Sequence, residues 1–359
     1  MKSPARGYAA PVSIDHPMAT RPPAPTASRL PIARGPLSAV VIDRLTGRAA
    51  GTTVDVDVDD PLGDEDLHLA LYVCYELHYR GFDGVDDALE WDQHLLALRG
   101  ALESAFEGAI RDEVPTEPIA PADVPARLRA IAEAGDAQIA TFLGRSAERW
   151  HYEEFMIHRS AYHLKEADPH SWVIPRLFGP AKAALIDIQS DEYGGGDVDW
   201  MHAVLFGRTM ELLGLDARYG AYLNRIPGRT LATVNLMSLF GLHRRLRGSA
   251  MGHLAAFELG SARPNRLYGN GLRRLGLRDD VTVFFDEHVE ADSVHDMIAT
   301  YDLAGALALQ EPILSADIVF GARALELLDA RSADRVLGRW RAGSTSLLNA
   351  ERWSTASHP

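Results

Sequence analysis

From about residue 66 onward, apolar residues recur three and four positions apart in one segment after another, the spacing that lines up side chains on one face of a helix. LHLALYVCYELHYRG, DALEWDQHLLALRGALESAFEGAIRDE, ARLRAIAEAGDAQIATFLG, HYEEFMIHRSAYHLKEA and MHAVLFGRTMELLG all carry it. Only VTVFF resembles a strand, and it is too short to build a sheet. With no internal repeat and no alternation of strands with helices, the pattern predicts an all-α fold. TLATVNLMSLFGLHRRLRGSAMGHLAAFELGSA is apolar on much of its circumference and free of proline, which predicts one long central helix. Its Gly241, Gly248 and Gly252 suggest close helix contacts or a kink. A basic helix around Arg273 and Arg274 is expected beyond Pro264, and a last helix from about Pro312 to Gly343.

The punctuation of the chain suggests four regions. Residues 1–64 hold 9 of the 20 prolines and end in an acidic stretch, so they read as a disordered arm. Residues 65–145 form an N-terminal helical extension, 146–340 the main domain, and 341–359 a C-terminal tail. The first residues lack the continuous apolar core of a secretory signal, and no apolar run reaches the length of a membrane helix; a soluble, cytoplasmic protein is expected. A net charge of −14 argues against docking on nucleic acid or an anionic membrane. The single cysteine, Cys74, excludes an intramolecular disulfide and any multi-cysteine metal site. It reads as a small buried residue. Metal binding would have to use His, Asp and Glu.

Those residues cluster. His288, Asp292 and His295 are spaced by four and three, which places all three on one stripe of one helix, as convergent ligands require. At this composition about 0.08 such matches arise by chance, so the pattern carries information, although a solvated polar stripe would look the same. Glu192, Asp199 and His202 are separated by seven and three, and a carboxylate-x2-His pair puts both groups on adjacent turns of one helical face. Asp199 could equally be an acidic helix start, and His202 a hydrogen-bonded core histidine. Glu166 sits at a helix end. Glu258 interrupts the apolar AAFELGS, where a buried carboxylate needs a cation or a hydrogen-bond partner. Glu76 in YELHY poses the same question and reads as a helix-packing contact. The basic run His243, Arg244, Arg245, Arg247 could face an anionic substrate or pair with the excess of acids. The glycines after Tyr193 follow a helix rather than a strand, which is the wrong context for a phosphate cradle.

Together, Glu166, DEYGGG with Glu192, Asp199 and His202, HLAAFE with Glu258, and HVEADSVH with His288, Asp292 and His295 resemble the haem-oxygenase-like di-iron oxidase and oxygenase family, also called iron-containing redox enzymes. The resemblance covers roughly residues 146–340. It implies a haem-oxygenase-like helical bundle holding two Fe ions, with His288, Asp292, His295, His202, Glu192 and Glu166 as ligands. Asp199 and Glu258 join them as candidate ligands, and the resemblance leaves open whether both coordinate. Three neutral histidines and four carboxylates would then balance two Fe(II) ions inside the bundle. The implied activity is O2-dependent oxidation of a small organic substrate by N-oxygenation, hydroxylation, desaturation or oxidative C–C cleavage. Mn is compatible with the same ligands. So are a homodimer and an external electron donor. Three alternatives stay open at this point: a haem protein of the same fold using His151, His158 or His163, a cofactorless quinone-forming type of oxidase, and a non-catalytic helical scaffold.

Overall fold

A computed structural model describes residues 28–48, 54–135 and 137–348. Among these described residues fourteen α-helices follow one another: α1 Pro36–Leu45, α2 Glu65–Glu76, α3 Gln93–Glu113, α4 Val124–Ala134, α5 Gln138–Arg145, α6 Arg149–His163, α7 Asp168–Ser171, α8 Gly179–Glu192, α9 His202–Leu212, α10 Gly228–Leu242, α11 Arg247–Arg274, α12 Val283–Met297, α13 Ala306–Gln310 and α14 Ser315–Arg341. Among the described residues the only β pairing is an isolated bridge between Ser28 and Phe82, and the class is all-α, as the helical periodicity predicts. VTVFF is helical: Val281 and Thr282 close a short 3-10 turn, and Val283, Phe284 and Phe285 open α12. Its apolar residues are buried against neighbouring helices, so tertiary packing overrides the β preference of the Val and Phe residues.

Order reaches further back than the sequence suggests. Part of the expected arm forms α1, because the Asp66 carboxylate of α2 accepts hydrogen bonds from the Leu37 and Ser38 amides (2.7 and 2.8 Å) and so caps its first turn. Pro36 at the first helical position supplies a fixed φ where no amide is needed. Residues 1–27 and 49–53 of that arm lie outside the described residues, as do 349–359 of the expected tail. The tail's described part is tied down: the Ser346 amide and hydroxyl both donate to the Glu154 carboxylate, and His158 bonds the same hydroxyl at 2.8 Å.

α2 starts at an Asp64 cap and is buried from Leu67 to Glu76, packing against α1, α3 and α10. Cys74 lies within it, its thiol pushed up to about 12 by burial, consistent with an inert core residue. At its end Glu76, fully buried, accepts from Lys165 Nζ (2.8 Å) and the Tyr219 hydroxyl (2.7 Å). Glu76 is thus a packing contact made through a buried ion pair, joining α2 to the segment just after α6.

The expected single central helix is two. α10 ends at Leu242, extended backbone at His243 breaks the path, and a 3-10 turn over Arg244–Leu246 leads into α11. α11 then continues through Pro264 to Arg274, so the basic residues close this helix rather than forming another. The glycines do mark close contacts. A Cβ on Gly252 would lie 1.7 Å from the Ile318 carbonyl oxygen, and one on Gly321 would lie 1.9 Å from that of Ser249, so α11 and α14 cross backbone to backbone. A Gly252→Ala substitution should therefore destabilise the fold by about 3 kcal/mol or more in denaturant melts. Gly260→Ala on the same helix, where a Cβ meets nothing within 4 Å, should be neutral or stabilising.

Candidate metal centre

The ends of α6 and α8, the start of α9 and the two helices α11 and α12 bring the candidate ligands together. Glu166 lies just past the end of α6, where the chain turns through Ala167 in the left-handed region (φ 73°), a costly conformation for a residue with a Cβ. The Gln189 side-chain amide holds that turn by donating to the Ala167 carbonyl at 2.8 Å. Glu192 is the last residue of α8 and His202 the first of α9. Between them Gly194, Gly195 and Gly196 all take positive φ, and a Cβ on Gly194 would meet the Met201 nitrogen at 2.6 Å. The three glycines therefore fold the chain back on itself and set His202 against Glu192. Glu258 projects from α11, and His288 and His295 from α12.

The donor atoms form two overlapping groups. Glu166, Glu192, His202 and His288 offer one ligand atom each, all within 4.8 Å of one another, and so do Glu192, Glu258 and His295. Glu192 belongs to both. Every one of these six residues is buried. Individual contacts include His202 Nδ1 to Glu192 Oε2 at 2.9 Å, His295 Nδ1 to Glu258 Oε2 at 3.5 Å and His288 Nε2 to Glu166 Oε1 at 3.6 Å. Glu166 Oε2, His202 Nδ1 and His295 Nδ1 are buried without a hydrogen bond of good geometry. Buried donors and acceptors are rarely left so, and a cation in each of the two groups would satisfy all three. The donor set of imidazole nitrogens and carboxylate oxygens suits iron or manganese.

Two outer contacts orient the imidazoles. His288 Nδ1 donates to the Phe284 carbonyl one turn back (2.8 Å), which turns its Nε2 lone pair toward Glu166. His295 uses Nε2 on Asp191 Oδ2 (3.0 Å), leaving Nδ1 toward Glu258.

Two carboxylates 4.8 Å apart repel by about 3 kcal/mol at an effective dielectric of 20, and both groups contain such a pair or share one through Glu192. Protons on the histidines offset the repulsion. Burial disfavours the charged form of His295, but Glu258, Asp191 and Glu192 outweigh it and raise its pKa to about 10. Burial likewise pushes the Glu192 carboxyl up, yet His202, His288 and His295 hold it at about 2. His202 is raised against its own desolvation, chiefly by Glu192.

Not every sequence candidate joins the cluster. Asp199 sits in a 3-10 turn, exposed, with its carboxylate paired to Arg208. The carboxylate-x2-His argument presumed one helix through both residues, but α9 begins only at His202, so Asp199 points elsewhere. Asp292 lies on α12 between the two histidines, and its side chain falls outside the described residues. Three of the four residues of the basic run pair with acids away from the cluster: His243 with Glu103, Arg245 with Glu107 and Arg247 with Glu311. Sequence reasoning missed Asp191, whose neighbour Glu192 drew the attention. It also weighed His163 only as a haem ligand, although the His-x2-Glu spacing to Glu166 carries the signal; His163 Nε2 lies 3.5 Å from Glu166 Oε1.

Two outcomes follow. Asp191→Asn should weaken divalent metal binding about tenfold or more while leaving the fold intact, as removal of a ligand-orienting carboxylate does; titration calorimetry with Mn(II) reads it. A metal must also displace the proton that His295 holds, since Glu258, Asp191 and Glu192 raise its pKa to about 10. Metal binding at pH 7.5 should therefore release about one proton or more per chain, and affinity should climb as pH rises toward 10. In the metal-free protein the sign is opposite. A folded pKa above the unfolded 6.5 gives His295 a stabilising contribution that is full below pH 6.5 and lost as pH rises through 10. Calorimetry in buffers of different ionisation enthalpy measures the proton count, and none released would contradict this account.

A nitrosourea synthase from Streptomyces achromogenes subsp. streptozoticus is 27% identical over 207 residues, 56% of this chain and 44% of that protein, so the match spans less than half of the relative's length. Residues 153–330 match the family described as iron-containing redox enzyme, a stretch that runs from α6 into α14 and contains all six clustered residues. Through residues 153–330, the chain belongs to the iron-containing redox enzyme family.

Proposed function

We propose that the protein is a non-haem di-iron oxidoreductase that uses O2 to oxidise a small organic substrate. The observation that carries this reading is the sharing of Glu192 by two buried donor groups, which fits two adjacent ions better than one. Glu166, Glu192, His202 and His288 would hold one ion, and Glu192, Glu258 and His295 the other. Asp292, from its register on α12, would add the fourth carboxylate that balances two Fe(II) charges. Bound iron supplies redox chemistry with O2 that no protein side chain provides. Mn would fit the same donors.

The chain's own residues do the remaining work. Glu192, common to both donor groups, would help to hold both ions. Phe284 and Asp191 fix which imidazole nitrogen faces the centre. Tyr162, Leu254 and Phe257 wall a cavity beside Glu166, Glu192 and Glu258 that has room for about one water, so bulk solvent is kept from the reacting groups. An organic substrate needs this cavity to widen, and an external reductant would be required for any outcome that inserts a single oxygen atom.

Among N-oxygenation, hydroxylation, desaturation and oxidative C–C cleavage, the relative's name favours the first. A nitrosourea carries oxidised nitrogen, and the match to that relative extends over 56% of this chain. The haem alternative is disfavoured by the histidines it would use. His151 Nδ1 accepts from the Glu148 amide, His158 is held by Thr230 and Ser346, and His163 lies against Glu166. A scaffold has no need of three buried carboxylates beside three imidazoles.

Anaerobic loading with Fe(II) should give about two iron atoms per chain, and O2 exposure should produce a transient optical band. His288→Ala should lose at least one iron with little change in melting temperature of the metal-free protein. Fewer than one iron per chain in the unaltered protein, with no optical change, would sink the di-iron reading; a stoichiometric Soret band after adding haem would favour the haem alternative.

A further inference from the structure

One polar side chain in the wall of the cavity is neither a member of the ligand cluster nor paired to it. His170, in α7, is 2% exposed and lines the cavity with Glu166, Glu192 and Glu258. Its Nε2 lies 3.3 Å from Nδ1 of His253 on α11, itself 1% exposed, which leaves Nδ1 as the His170 nitrogen available to the cavity. His253 is enclosed by aromatic rings: it stacks nearly parallel on Phe257 (13°, 6.1 Å) and meets Phe240 edge-on (79°, 6.4 Å). Its Nε2 is buried with no hydrogen-bond partner. Burial holds both rings neutral at physiological pH, His170 at about 4 and His253 well below the ordinary histidine value.

A neutral pair has two tautomeric arrangements, and the surroundings choose between them. The cavity's other polar walls include three carboxylates, whose field favours an N–H over a lone pair at His170 Nδ1. With the proton on Nδ1, His170 Nε2 must accept, so His253 Nδ1 donates to it. His253 Nε2 then carries no hydrogen, which agrees with its lack of an acceptor among Phe240 and Phe257.

We propose that His170 donates a hydrogen bond from Nδ1 to a small anionic acceptor held in the cavity beside Glu166, Glu192 and Glu258, and that His253 fixes this donor direction. The acceptor is a carboxylate oxygen of the substrate or a comparably small anion. This rests on the di-iron reading for the charge that would draw an anion past three carboxylates. His170 is then a substrate-contacting residue and His253 a positioning residue.

Two measurements test it, and they fail separately. In metal-free protein with 15N-labelled imidazoles, assigned by comparison with His170→Phe and His253→Phe, both rings should be protonated at Nδ1. A His170 ring protonated at Nε2 overturns the proposal whatever the metal content. In iron-loaded ferric protein, azide serves as the anionic probe in an optical titration. His170→Phe should keep the iron content and weaken azide about tenfold, the loss of one hydrogen bond to an anion, while His170→Asn recovers part of it. His253→Phe should keep iron and weaken azide by less. Unchanged azide affinity in His170→Phe, or loss of iron from that variant, overturns the proposal. Failure of the unaltered protein to bind iron sinks the di-iron reading instead, and leaves the tautomer result to be judged alone.

Discussion

Three glutamates in one buried pocket are the constraint from which the rest of this structure follows. Glu166, Glu192 and Glu258 are each nearly inaccessible to water, and Glu192 lies within 4.8 Å of the donor atoms of both others' groups. Carboxylates so placed repel one another and pay desolvation together, so the pocket is stable only with positive charge inside it. In the metal-free chain, raised pKa values on His202 and His295 supply that charge. Divalent ions would supply it more fully, which makes the protonated histidines a measure of how strongly the site demands a cation.

Holding that pocket closed is a task spread over the whole chain. The backbone-to-backbone crossing of α11 and α14 at Gly252 and Gly321 brings the Glu258 helix into the core. The α12 helix carries His288 and His295 and runs on into π-helical turns over Ile298–Gly305 packed on α8 and α11. Wider turns of this kind recur near functional sites, where a helix must shift the phase of its side chains. On the opposite side Lys165, next in sequence to Glu166, is buried on Glu76 and over the rings of Tyr72 and Tyr79. The N-terminal helices are therefore structurally continuous with the segment that presents Glu166. A buried pair of this sort is costly to break from one side, since the remaining charge has no solvent to turn to.

Much of the centre was legible before any coordinates. His288 and His295 fall on one helical stripe by arithmetic alone, and Glu258 stood out because a lone acid in AAFELGS has to be accounted for. Asp199 shows where that logic stops. Spacing by three implies a shared face only inside a continuous helix, and the positive-φ glycines at 194–196 end one helix and delay the next until His202. Asp191 and His170 were hidden for the complementary reason: their partners, His295 and His253, are 104 and 83 residues away, and only the fold brings them together. The basic run at 243–247 was undecidable in sequence, and the positions of Glu103, Glu107 and Glu311 decided it.

By itself the sequence determined the all-α class, the helical phase of the ligands on α12 and the supply of oxygen and nitrogen donors without thiols, because each depends on local periodicity or on composition. Tertiary structure decided that the apparent central helix breaks at His243, that α1 is ordered by a carboxylate from α2, and that Glu192 stands in both donor groups. Those outcomes rest on contacts between residues far apart in the chain. Close packing and the cost of burying unpaired charge select among such contacts, and neither is expressed in any short stretch of sequence.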